Sequence, residues 1–144
     1  MGLFFVIFSM KHYLKIFAFI LALSNITAQE SQTTLAILDF EGRGINSLEA
    51  ATLTDRFTSE IGKTETMTLV DRTMVEEILK EQGFQQTGCT TDECAVEVGA
   101  MLGVQFMISG AIGKLGDTFT IDAKMVSVES GASVETRNVT YIGK

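Results

Sequence analysis

The sequence predicts an α+β domain: a two-layer sandwich in the order β-α-β-α-α-β-β-β, with a mixed sheet and helices on one face. Three observations predict it. Thr34 to Phe40, TLAILDF, is an unbroken apolar run of the kind found in strands buried on both faces. Three later segments combine a helix-start signal with an apolar stripe, and the last third of the chain is β-rich with hairpin-sized turns.

The elements follow in chain order. The amino terminus has the layout of a signal peptide: Lys11, His12 and Lys15 precede the apolar run Ile16 to Leu23, and Ile26-Thr27-Ala28 offers a cleavage site before Gln29. Residues 1–28 therefore read as a leader, with Met10 an alternative start, and 29–144 as one domain. The apolar run is shorter than the ~20 residues a bilayer-spanning helix needs, and no cysteine lies in the leader to carry a lipid.

After the first strand, EGRG (Glu41 to Gly44) reads as a tight turn with an exposed Arg43. Asn46 and Glu49 then form a capping box, with Leu53, Phe57 and Ile61 along one helical face. MTLVDR, Met67 to Arg72, reads as a short strand. Thr73 and Glu76 repeat the capping pattern ahead of a helix ending near Gly83, and Thr90 and Glu93 start a third that Gly103 stops. QFMISGAIGKL, TFTIDAKMVSVE and SVETRNVTYIG follow, joined at Leu115-Gly116-Asp117 and Ser130-Gly131-Ala132, and predict an antiparallel meander.

Charge and composition exclude several functions. Losing Lys11 and Lys15 with the leader takes the net charge from −7 to −9. Such a surface repels phosphate backbones, so nucleic acid is not an expected partner. The only histidine, His12, is in the leader, which removes the usual general base and any imidazole metal ligand from the mature chain. No catalytic or metal site and no cofactor is expected.

The two cysteines stand in GCTTDECAVEVG, Gly88 to Gly99. With Thr90 as N-cap, Cys89 and Cys94 take the two positions that touch in a hydrophobic staple, and an oxidising compartment would join them. So short a loop contributes about 2 kcal/mol on the loop-closure model. A thioredoxin-like centre would need two intervening residues, and zinc would need further sulfur or nitrogen ligands.

Other signals have plain readings. GKT at Gly62 to Thr64 closes a helix where a phosphate loop would open one. Asp39, Asp71 and Asp122 lie on or beside strands, either facing one another or capping strand ends. Asn138-Val139-Thr140 matches a glycosylation acceptor but falls in a strand. Phe84, Gln85 and Gln86 belong to a loop after the second helix. Together with Arg43 they are candidate partner contacts, although Phe84 could equally pack beneath the cysteine loop.

LAILDFEGRGI, LVDRTMVEEILKEQGF and VQFMISGAIGKL with two trailing strands resemble the periplasmic domain of the curli secretion channel family, CsgG. The amino-terminal domain of TolB and the penicillin-binding-protein activator LpoB are similar to that family in fold. The resemblance implies an exported, non-catalytic domain at the outer membrane that binds envelope proteins or itself. This sequence has no segment left over for pore-forming hairpins and no membrane-spanning segment in the mature chain, so the expectation is a periplasmic interaction or assembly module. An envelope enzyme or ligand-sensing domain using Cys89, Cys94 or Asp39 is the alternative.

Overall fold

The computed structural model describes residues 32–83, 89 and 91–143. Within them the chain forms β1 (Thr34–Ile37), β2 (Glu41–Arg43), α1 (Ser47–Gly62), β3 (Thr68–Leu69) and α2 (Arg72–Glu81). Next come α3 (Asp92–Leu102), β4 (Phe106–Leu115), β5 (Thr118–Ser127) and β6 (Ser133–Ile142). One mixed sheet has the order β3-β1-β4-β5-β6. β1 runs parallel to β3 and β4, whereas β4, β5 and β6 are antiparallel neighbours. The α+β class, the mixed sheet and the element order stand as predicted, once β1 and β2 are counted as one interrupted strand.

That interruption corrects the reading of EGRG as a turn. β1 pairs Ile37 with Ile108, and β2 resumes along the same strand by pairing Glu41 with Ala111. The first strand thus advances one residue more than β4, which is a bulge. The extra residue reverses the alternation of side chains. Leu38 packs in one core cluster and Phe40 in the other, while Glu41 and Arg43 emerge on the face that Ala36 occupies. Gly44, at φ 78°, then turns the chain towards α1, where a Cβ would lie 2.4 Å from the Lys114 carbonyl oxygen.

The cores sit on opposite faces of the sheet. Ala36, Leu38, Met107 and Val126 meet Val75, Leu79, Ala95 and Val98 of α2 and α3. Leu35, Ile37, Ile108 and Ile112 meet Phe57 and Ile61 of α1, and the Phe40 and Phe57 rings lie 5.1 Å apart. Helices covering one face therefore describes α2 and α3, with α1 set against the other. A strand with successive apolar residues, as β1 has from Leu35 to Ile37, requires cover on both sides.

Helix starts explain the local boundaries. Asn46 and Glu49 form the predicted capping box on α1. For α2 the cap is Asp71, two residues before the predicted Thr73, and its carboxylate accepts from the Thr73 backbone N–H at 2.8 Å. Hydrogen bonds from the Thr73 hydroxyl and backbone hold the Asp71 carboxyl below its ordinary pKa. Thr91, one residue beyond the predicted Thr90, caps α3.

Candidate functional site

The bulge opens the candidate site. On the sheet face beyond α3, Glu41 and Arg43 of β2 stand beside Ser109 of β4, Asp122 and Lys124 of β5 and Thr136 of β6. They line an open depression of about 260 Å³, with Asp92 from the first turn of α3 at its rim. Strand alternation places them together: Ser109 is paired with Lys124, Ala111 with Asp122, and Asp122 with Asn138.

Its charges are largely matched. Arg43 reaches Glu41 at 2.9 Å, and this hydrogen bond holds the guanidinium above its ordinary pKa. Lys124 donates to both Asp92 oxygens at 3.1 and 2.9 Å, and the Asn138 amide donates to Asp122. Three acids against two bases leave a mildly acidic, hydrogen-bonding surface suited to recognition. Among the described residues no group of three or more His, Cys, Asp or Glu could hold a metal ion.

Of the residues singled out in the sequence, Arg43 and Asp122 lie in this depression. Phe84, Gln85 and Gln86 lie outside the described residues. Cys89 and Cys94 are joined in a disulfide with Cα atoms 5.4 Å apart, so neither is a free thiol. The predicted staple geometry is corrected by the shift of the cap to Thr91: Cys89 lies two residues before the cap and Cys94 is the third helical residue. Cys89 is buried against the core shared by α2 and α3.

The three aspartates do not converge. Asp71 is a helix cap and Asp122 is in the depression. Asp39, at the bulge, is bound by Arg72 at 2.8 Å. Arg72 also contacts Asp55 of α1 and holds Glu76 at 2.9 Å. Burial pushes the Asp39 carboxyl above its ordinary pKa; Arg72 opposes this, and Glu76 and Asp55 add to it. One cation shared by three carboxylates ties α1 and α2 to the bulge, which is a structural arrangement. Neither Arg72 nor Lys124 was flagged by sequence. The only available signal was the Asp-Arg pair at a strand end, and it carried no hint of the acids 33 and 17 positions away.

Comparison with known proteins decides the family. A family model described as "Peptidoglycan-synthase activator LpoB" matches residues 17–134. The chain belongs to the LpoB family. This overturns the assignment to the CsgG family, and with it the curli expectation. The strand, turn and helix pattern on which that assignment rested is also the pattern of LpoB. No curated protein matches the sequence.

Solved LpoB domains share the fold. The LpoB C-terminal domain from Escherichia coli is 16% identical with a TM-score of 0.62, covering 82% of this chain and 90% of that one. The same domain from Salmonella enterica is 13% identical, TM-score 0.63, covering 81% and 87%. Lipoprotein GNA1162 from Neisseria meningitidis is 12% identical, TM-score 0.65, covering 78% and 82%. As an LpoB-family protein the chain is a non-catalytic interaction module of the periplasm, and no helix among its described residues is long and apolar enough to cross a membrane.

Proposed function

We propose that this protein binds a peptidoglycan synthase in the periplasm and raises its activity without itself making or breaking bonds. The family match over residues 17–134 carries the reading. The polar depression around Arg43 and Lys124 supports it, because matched charges on an open sheet face favour selective, reversible docking over catalysis. We assign the contact to Arg43 together with Phe84, Gln85 and Gln86. The Cys89–Cys94 bond anchors the chain just after those last three residues.

The test is reconstitution. Purified chain is added to a peptidoglycan synthase from the same organism, and both binding and the rate of glycan-strand synthesis are measured. Saturable binding with a faster rate is expected, and R43E and F84A should weaken both while leaving the circular dichroism spectrum unchanged. Absence of binding, or binding with no change in rate, overturns the proposal.

A further inference from the structure

The sheet has two unequal edges. β3 offers two residues, too short to template another strand, whereas β6 offers ten, every one exposed. Long open edges are ordinarily guarded by lysine, proline or irregular backbone. β6 has neither Lys nor Pro, and its single irregularity lies opposite Met125/Val126, near its first residues. Its only charged side chains are Glu135 and Arg137, so this strand is formally neutral in a chain of net charge −7.

Register fixes which backbone groups are free. Gly143 donates to the Asp117 carbonyl, and in an antiparallel ladder bonded and non-bonded pairs alternate. Counting back, Glu135, Arg137, Val139 and Tyr141 direct their backbone groups at β5, whereas Thr136, Asn138, Thr140 and Ile142 direct theirs outward.

We propose that β6 is a homodimerisation edge that pairs antiparallel with β6 of a second copy about a two-fold axis through Thr136. In that register Thr136 meets its own symmetry mate as a hydrogen-bonded pair. Glu135 then faces Arg137 of the other copy, twice, in the non-bonded positions where side chains approach most closely. Within one chain these two residues already form an ion pair at 2.9 Å, so the dyad assembles four alternating charges. Moving the axis to Arg137 would oppose two arginines. The charge pattern therefore selects the copy and the register together, and two sheets become one continuous sheet.

The experiment uses the purified chain without any synthase, so its outcome is independent of the proposed function. Light scattering coupled to size exclusion should show a concentration-dependent dimer. E135R and R137E alone should each weaken it about tenfold or more, because each opposes like charges at two symmetric positions. The double variant E135R/R137E should restore it, and mixing the two single variants should give a heterodimer. T136C should form an intermolecular disulfide under mild oxidation, and T140C should not. A monomer at every concentration, a dimer indifferent to charge reversal, or cross-linking through T140C would each overturn the proposal.

Discussion

Reducing the Cys89–Cys94 bond should loosen the domain without unfolding it. The bond spans a sequence separation of 5, and closing a loop of that size removes about 7 cal/mol/K from the unfolded chain, or about 2 kcal/mol at 25 °C. Unfolding entropy near 2.1 cal/mol/K per residue gives about 0.23 kcal/mol/K for a domain of roughly 110 residues, so Tm should fall by about 9 °C. Cys89 remains in the core after reduction, because it is only 6% exposed and packs with the α2 and α3 cluster. The assay is thermal unfolding by circular dichroism with and without reductant, with thiol titration to confirm two free groups. A shift below about 3 °C with both thiols free would refute the loop-closure account. Loss of the cooperative transition would refute the view that packing, with the bond as an adjunct, holds this corner.

Two further outcomes follow from buried polar contacts. Thr54 is 2% exposed and accepts the Phe40 backbone N–H at 3.1 Å, so T54V strands a buried donor and should cost about 1–3 kcal/mol by urea unfolding; no loss would mean that the donor finds another partner. Asp39 has a folded-state pKa above its ordinary value of 3.8, so the folded protein binds a proton there more tightly than the unfolded chain. Its stabilising contribution is fully present below 3.8 and is lost as pH rises through the raised value. Wild type should therefore gain on D39N as pH is lowered from 7 through that window, and the opposite slope in paired denaturation series would refute the assignment.

Much of the fold was legible because its signals are local. The Asn46 and Glu49 box, the apolar run of β1 and the two turns of the meander each depend on neighbours in sequence, and each appears where read. Helix starts slipped where several capping residues stand in a row: VDRT offers both Asp71 and Thr73, and CTTDE offers two threonines. The bulge was illegible because the contacts that accompany it are non-local, among them the hydrogen bond from the Phe40 N–H to Thr54 on α1. The same holds for Arg72, whose partners come from the bulge, α1 and its own helix. With the bulge hidden, the reversal that brings Arg43 beside Lys124 was hidden as well. At family level, a strand-turn-helix rhythm is shared among relatives of one fold and does not by itself tell them apart.

Among the described residues β4 is the one strand common to both halves of the sheet, joined to β1 and β2 along one side and to β5 along the other. Mechanically it is a spine. The half with β1 and β3 is clamped between helices, and the hairpin of β5 and β6 projects as an arm whose outermost strand is exposed along its whole length. A load or ligand applied to that arm reaches the clamped half chiefly through β4, so slow amide exchange should be concentrated along that strand and fade towards the tip of the arm.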